Sequence, residues 1–208
     1  MHINVNFMSF PTPRTYAIKQ LLPVVIVVGT VLILGALGDW LNPFLRYERD
    51  AIISGQIWRV ITGHTVHLGM VHTLMNLTGM LLILHLFGRL LTLTQWVTAS
   101  VLIGVGISVG FLVLNPELAF YAGLSGVLHG CLVLALFLAF WCDKRQPRWL
   151  TVMVLAVVIG KLISEQLPGY DVNYLYEQME AAVIVDAHLY GAVIGTLLAP
   201  YYIMRHSH

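Results

Sequence analysis

Long apolar stretches dominate the chain, and only short polar segments separate them. A helix needs about 20 apolar residues to cross the hydrocarbon core of a bilayer. Six stretches approach that length, at about 21–37, 72–91, 96–114, 123–141, 149–164 and 182–202. The pattern predicts an all-α membrane protein, with six transmembrane helices in a single domain that covers residues 1–208.

The fifth stretch is the weakest of the six. At 1.5 Å per residue it reaches only about 24 Å, and Lys161 and Glu165 interrupt its outer end. Two interpretations remain open. Either the helix is tilted and Lys161 extends along it to the membrane surface, or the helix is held loosely and moves aside for a substrate.

Composition agrees with a membrane protein and excludes several partners. Charged residues make up 10% of the chain, against about 25% in soluble domains. The low charged fraction and the apolar stretches indicate that the lipid bilayer surrounds the protein. A net charge of +1 without a basic run argues against nucleic acid as a partner. Cys131 and Cys142 lie on one predicted helix and supply neither a disulfide framework nor a metal site. No cofactor is expected.

The distribution of Lys and Arg predicts the orientation, because short cytoplasmic loops retain positive charge. With the N-terminus inside, the inner side carries Arg14, Lys19, Arg89, Lys144, Arg145, Arg148 and Arg205. The outer side then carries only Arg46, Arg49, Arg59 and Lys161. Both termini are therefore expected to be cytoplasmic.

A candidate nucleophile and a candidate base lie at matching depths. Ser125 is near the start of the fourth stretch, within Gly123-Leu124-Ser125-Gly126, and His188 is near the start of the sixth. Serine attacks only when a base takes its proton, and histidine is suited to that task near neutral pH. Both stretches run from outside to inside in the predicted orientation. The sequence thus predicts a serine hydrolase whose site lies in the outer part of the bilayer.

Small residues offer a way to bring these two helices together. Gly126 and Gly130 are spaced by four on the fourth stretch, and Gly191 and Gly195 repeat that spacing on the sixth. Such stripes allow membrane helices to approach until their backbones touch. We expect the fourth and sixth helices to pack closely enough for Ser125 to reach His188.

Donors for an oxyanion are available at the outer end of the second stretch. His72 and Asn76 are four residues apart and share one helix face. Acyl transfer requires donors aimed at the developing negative oxygen, and both side chains can serve. The alternative is that they only make hydrogen bonds between helices.

Two other chemistries are disfavoured by spacing. Asp186 is two residues from His188 on the same helix, so it is poorly placed to orient that ring, and we predict a Ser–His pair without an acid. His64, His67 and His72 stand beside no carboxylate or thiolate, and no zinc-binding motif is present. No metal is expected.

Taken in order, these residues resemble a known family. Trp58-Arg59, His67, His72 and Asn76, then Gly-Leu-Ser-Gly, then Ala187-His188 with Gly191 and Gly195, are similar to the motifs of the rhomboid intramembrane serine proteases. The resemblance implies a rhomboid-like bundle and a catalytic pair of Ser125 and His188. It also implies an oxyanion hole drawn from His72, Asn76 and the Ser125 backbone amide. Supporting roles are implied for Arg59, His67, Gly123 and Gly126, and the fifth helix would be a lateral gate.

One position departs from the family pattern. Rhomboids commonly place an aromatic residue four positions after the nucleophile, under the catalytic histidine, whereas this chain has His129. An imidazole can stack there. Because helical side chains lean toward the N-terminus, His129 also points toward Ser125 and is a rival base.

The run Gly-Leu-Ser-Gly-Val-Leu-His-Gly and the six-helix length are most similar to the rhombosortases, which are bacterial rhomboids. That resemblance implies secreted substrates with a C-terminal Gly-Gly and transmembrane tail. It also implies the bacterial inner membrane, with the site facing the periplasm. The alternative is a catalytically silent relative that binds or escorts membrane segments. A transporter is disfavoured, because the polar residues cluster on one side of the membrane.

Overall fold

Helices form most of the structure, which is a computed structural model that describes residues 13–145, 147–173 and 183–206. Nine helices lie in these ranges: α1 Pro13–Ala36, α2 Gly38–Leu45, α3 Arg49–Ile53, α4 Arg59–Thr62, α5 Gly69–Phe87, α6 Leu93–Leu114, α7 Ser125–Cys142, α8 Arg148–Gln166 and α9 Asp186–His206. A 3-10 turn, Gly88–Leu90, extends α5, and two strands, β1 Tyr47–Glu48 and β2 Phe120–Tyr121, pair antiparallel. The predicted all-α class is confirmed.

Five of these helices are long and apolar enough to cross a membrane, namely those that begin at Gly69, Leu93, Ser125, Arg148 and Asp186. A sixth candidate is the pair Val24–Ala36 and Gly38–Leu45, which is bent by 93° between its two helices. Each predicted stretch therefore corresponds to a helix. The predicted cytoplasmic termini, at residues 1–12 and 207–208, lie outside the described residues.

The ends of the helices differ from the predicted bounds, because hydropathy locates apolar positions and not hydrogen-bonded ends. The helix that corresponds to the third stretch, α6, begins at Leu93 and not at 96, because Thr92 caps it. The Thr92 hydroxyl accepts from the Gln95 amide at 3.3 Å, and the Gln95 side chain accepts from the Thr92 amide at 2.8 Å. The last helix begins at Asp186. The predicted start of that stretch, at 182, lies outside the described residues.

Close contact between α7 and α9 forms the centre of the fold. A Cβ added at Gly130 would lie 2.5 Å from the Gly191 carbonyl oxygen, and one at Gly126 would lie 2.7 Å from the Ala187 oxygen. Real Cβ atoms do not approach so closely, so the two backbones touch along the glycine stripes. The predicted packing of the fourth and sixth helices is confirmed. In contrast, α8 is peripheral, with 22% of its membrane window buried against 56% for α7.

The segment between α1 and α5 is anchored by Arg59, which is 4% exposed. Its guanidinium donates to the carbonyl oxygens of Arg46 at 2.9 Å and Pro43 at 2.8 Å, and to the Gln56 side chain at 2.8 Å. Buried guanidinium donors are satisfied in this way by backbone acceptors. The hydrogen bonds join α4 to α2 and to the residue between α2 and β1.

The same segment is fastened to the residues just before α7. Tyr47 of β1 is the register partner of Tyr121 in β2, and the Gly123 amide donates to the Gly63 carbonyl at 3.1 Å. The backbone leading into Ser125 is therefore held by contacts from outside its own helix. This places the turn before α7 with the precision that a reactive residue needs.

Candidate active site

The structure brings Ser125 and His188 together. Ser125 is the first residue of α7 and His188 is near the start of α9. The two helices begin on the same side of the bundle and touch through their glycines. As a result, Ser125 Oγ and His188 Nε2 are 3.0 Å apart, a hydrogen-bonding distance.

Glycine is required at position 123 for two reasons. Its φ of +146° is a conformation that residues with a side chain rarely adopt. A Cβ there would also lie 2.8 Å from Cε1 and 2.9 Å from Nε2 of His72. The turn before Ser125 thus passes directly against the ring of His72.

His72 presents a donor to this turn. Its Nδ1 accepts from the Leu68 backbone amide at 3.4 Å. In a neutral imidazole one nitrogen carries the proton, so accepting at Nδ1 leaves the N–H at Nε2. That N–H lies beside Gly123, at the wall of a cavity that Ser125 also lines.

Two further donors border that cavity. Asn76 is 5% exposed, and its Nδ2 finds no hydrogen-bond partner among the residues the structure describes. Buried donors are normally hydrogen-bonded, so this amide is able to donate to a group that enters the cavity. The Ser125 amide is in the first turn of α7, where backbone N–H groups have no partner within the helix.

The cavity has a volume of about 570 Å³ and extends from the Ser–His pair along α7, between α5 and α8. Its polar lining is confined to a few groups, and most of its wall is aliphatic or aromatic. The apolar residues are Met75, Leu82, Ile83, Leu86, Phe87, Leu128, Leu132, Leu136, Leu150, Val154 and Val183. Such a cavity suits an apolar chain segment presented to a small polar centre.

His129 stacks under His188. The ring centroids are 4.1 Å apart and the planes are inclined by 20°. The Nδ1–H of His129 donates to the Ser125 carbonyl at 2.8 Å, so this nitrogen is occupied by the backbone and not by the serine hydroxyl. Of the two arrangements predicted for His129, the structure contains the stacked one.

His67 supports His72 from behind. Its ring is fully buried and meets the His72 ring edge-on, with centroids 5.2 Å apart. Burial, with a smaller contribution from the neighbouring His72, lowers the pKa of His67 to about 4. At neutral pH His67 is therefore uncharged and packs as an aromatic ring.

Acid should destabilise this part of the fold. Burial also lowers the pKa of His64 to about 4. The unfolded chain binds these protons near pH 6.5, whereas the folded chain binds them only near pH 4, so the free energy of unfolding falls as the pH drops between the two values. The loss is at most roughly 3 kcal/mol per histidine. We expect the thermal midpoint in micelles to fall from pH 7 to 4.5, and to fall less in His67→Phe.

The matched control is His85→Gln, because His85 lies exposed on α5. That variant should lose as much stability in acid as the natural protein. An equal loss in His67→Phe would show that the buried ring is not the titrating group.

Glu165 is the residue that sequence reasoning missed. Its side chain is fully buried, and its carboxylate oxygens lie 3.0 and 3.1 Å from His188 Nδ1. Lys161 bonds the same carboxylate, and its Nζ is 3.5 Å from His188 Nδ1. Lys161 thus pairs with the buried carboxylate while 43% of its own side chain stays exposed, and its interpretation as a side chain that extends to the membrane surface stays a prediction. A Lys and a Glu four apart in an apolar helix were the available signal.

Asp186 is not hydrogen-bonded to His188, as predicted, but the predicted absence of an acid beside that ring is wrong, because Glu165 is bonded to His188 Nδ1. Its carboxylate accepts from Asn115 Nδ2 at 2.6 Å, and the Tyr190 hydroxyl donates to the Asn115 side-chain oxygen at 2.6 Å. This network ties α9 to the end of α6. Within the described ranges, no three His, Cys, Asp or Glu side chains are grouped so that they could hold a metal ion.

Comparison with known proteins gives one match. A family model described as the Rhomboid domain matches residues 54–205, which is more than half of the chain and includes every residue of the site described above. A search of curated proteins finds no match. The match and the apolar helices together show a multi-pass membrane protein.

Proposed function

We propose, from the premise that this chain belongs to the rhomboid family, that it is an active intramembrane serine endopeptidase. Ser125 is the nucleophile and His188 the base. The observation that carries the proposal is the 3.0 Å contact between Ser125 Oγ and His188 Nε2 at the wall of an apolar cavity. A silent relative has no need to keep a hydroxyl and an imidazole in this geometry.

The chemistry follows from the hydrogen bonds. The Ser125 hydroxyl passes its proton to His188 Nε2 as Oγ attacks a peptide carbonyl carbon, and the carbonyl oxygen becomes an oxyanion. His188 then gives the proton to the leaving nitrogen, the C–N bond breaks, and an acyl-enzyme remains. Water or another nucleophile then attacks that ester with the same histidine as base; the nucleophile loses its proton, the ester C–O bond breaks, and the Ser125 hydroxyl is restored.

The oxyanion is stabilised by donors already in place. The free Nδ2 of Asn76, the Nε2–H of His72 and the Ser125 amide all border the cavity that holds Oγ. Fixed donors at a developing charge give typically 10²–10³-fold in rate each. An unpaired buried amide is stabilised once it binds the oxyanion, which supports this role for Asn76.

The cavity and the resemblance to rhombosortases support a proposal for the substrate class. An apolar groove between membrane helices suits a transmembrane segment. A helical peptide bond must unwind before attack, and each glycine lowers that cost by about 1 kcal/mol relative to alanine. We propose secreted proteins with a Gly-Gly and transmembrane tail as substrates, cut near the periplasmic boundary of the bacterial inner membrane.

Reconstituted protein in liposomes tests this proposal. The substrates are a tailed protein with Gly-Gly before its transmembrane segment and the same protein with Ala-Ala. We expect cleavage at the Gly-Gly site, about 10- to 30-fold slower for Ala-Ala, because about 2 kcal/mol of unwinding cost returns. Product masses locate the cut.

The outcomes separate the two levels of the proposal. Equal cleavage of both substrates contradicts the Gly-Gly preference and leaves the peptidase intact. Binding of tailed segments without any cleavage, over a range of substrates, contradicts the peptidase and favours the escort function.

A further inference from the structure

A carboxylate faces the side of His188 that is turned away from the serine. Glu165 is next to the last residue of α8, and its side chain is fully buried. Its two oxygens lie 3.0 and 3.1 Å from Nδ1, while the Ser125 hydroxyl lies 3.0 Å from Nε2. Hydroxyl, imidazole and carboxylate thus form a continuous hydrogen-bonded row across three helices.

We propose that Glu165 is a positioning residue that orients His188 and selects its tautomer, so that the site is a Ser–His–Glu row and not a pair. The inference rests on the proposed function, because only a base needs this support. It also makes α8 part of the active site, which neither the motifs nor the family match assigns.

The hydrogen bonds determine the proton positions. An ionised carboxylate can only accept, so the proton between Glu165 and His188 is on Nδ1. The neutral ring then has its lone pair on Nε2, where it accepts from the Ser125 hydroxyl. Without Glu165 the ring can carry its proton on Nε2 instead, and in that tautomer it cannot take the serine proton. When Nε2 is protonated during attack, the carboxylate stabilises the imidazolium.

Burial of Glu165 argues against a merely structural ion pair. A carboxylate is costly within a membrane, and a Glu–Lys pair four apart on a helix can form on the surface with both ends toward the headgroups. Here the Glu165 side chain has no exposed area, whereas that of Lys161 remains 43% exposed. The carboxylate has turned inward to the histidine, and Lys161 follows it and balances its charge.

The other nearby carboxylate is engaged elsewhere. Asp186 is on the same helix as His188, but it accepts from Asn115 at 2.6 Å. Among the described residues Glu165 is the acidic side chain hydrogen-bonded to His188. The role of orienting the base therefore falls to α8.

Because of the contact between Glu165 and His188, the orientation of the His188 ring depends on the position of α8. This helix is peripheral and packs mainly on α7. A donor and an acceptor that are about 3.6 Å or more apart no longer form a hydrogen bond. A displacement of the outer end of α8 that withdraws Glu165 would release the ring, so catalysis requires that end to be in place when the bond is cut.

Two readouts on the full chain in micelles test the proposal, with Glu165→Leu, Glu165→Gln and the exposed control Glu117→Gln. The first is the 15N spectrum of histidine-labelled protein, with the His188 signals identified by their loss in His188→Gln. We expect protonated Nδ1 in the natural protein and in Glu165→Gln, whose amide oxygen still accepts, but not in Glu165→Leu.

The second readout is turnover. The kcat should fall about 10²–10⁴-fold in Glu165→Leu and less in Glu165→Gln, with KM unchanged. Glu117→Gln should match the natural protein in both.

Four results overturn the proposal or separate it from the function. An unchanged His188 tautomer in Glu165→Leu contradicts it, as does an unchanged kcat. A higher kcat in Glu165→Leu would also contradict the proposal, because it would show that the contact between Glu165 and His188 slows catalysis. If the natural protein shows no turnover that depends on Ser125, the proposed function fails, and the 15N spectrum still decides whether Glu165 sets the tautomer.

Discussion

Replacement of Ser125 by alanine should abolish cleavage of a membrane substrate, and His188→Ala should do nearly the same. Loss of either member of a nucleophile–base pair costs about 10⁶-fold in kcat in soluble serine proteases, because the two act as a unit. The double variant should therefore be no slower than either single variant. The measurement is product formation in liposomes over long incubation at high enzyme concentration.

The matched control is Ser100→Ala. Ser100 is also a serine in a membrane helix, α6. Its hydroxyl lies 3.4 Å from the sulfur of Cys131 in α7, and neither residue lines the cavity. That variant should retain full activity. Cleavage by Ser125→Ala at the rate of the Ser100 control would mean that a different group attacks the substrate.

A side chain at Gly191 should destabilise the contact between α7 and α9. A Cβ there would overlap the Gly126 carbonyl oxygen, and the obstacle is backbone that cannot rotate away. Overpacking of a well-filled core typically costs 1–3 kcal/mol, and Gly191→Val should exceed that range because two helices must separate. We expect Gly191→Ala to lower the thermal midpoint in micelles by several degrees and Gly191→Val to yield little folded protein.

Gly160→Ala is the control for Gly191→Ala, because it makes the same substitution in another membrane helix. Gly160 lies within α8, and a Cβ there meets no atom within 4 Å. Alanine is about 1 kcal/mol better than glycine in a helix, so this variant should match or exceed the natural protein in stability. If Gly191→Ala were equally stable, the close contact of α7 and α9 would be contradicted.

Much of the fold was predictable because apolar stretches of membrane length have few alternatives. The six stretches and the glycine stripes predicted the helices and the contact between α7 and α9, and both predictions are confirmed. The ends were less predictable, since they depend on caps such as Thr92, which hydropathy does not register.

The candidate site was predictable where residues lie on well-defined helix faces. The motifs that contain Ser125 and His188 lie on the two helices with glycine stripes, and their side chains do meet at 3.0 Å. Glu165 was not predictable, because its contact with His188 depends on how a peripheral helix, Arg148–Gln166, is rotated about its own axis. The sequence indicated a charged pair within α8 but not which way it faces.

His129 illustrates a choice that only coordinates can make. Its place four residues after Ser125 allows both a stacked ring and a rival base. The structure uses Nδ1 for the Ser125 carbonyl, a bond within one helical turn, and this rotamer puts the ring parallel to His188. The rival base would need the hydroxyl that His188 already holds.

Covalent labelling tests the central claim most directly. The protein in micelles or liposomes is treated with a fluorophosphonate, which reacts with a serine only when a base activates it, and the modified residue is located by mass spectrometry. The account predicts one modified serine, Ser125, and loss of labelling in His188→Ala at a temperature at which that variant remains folded. Labelling of another serine, or equal labelling of Ser125 without His188, would contradict it.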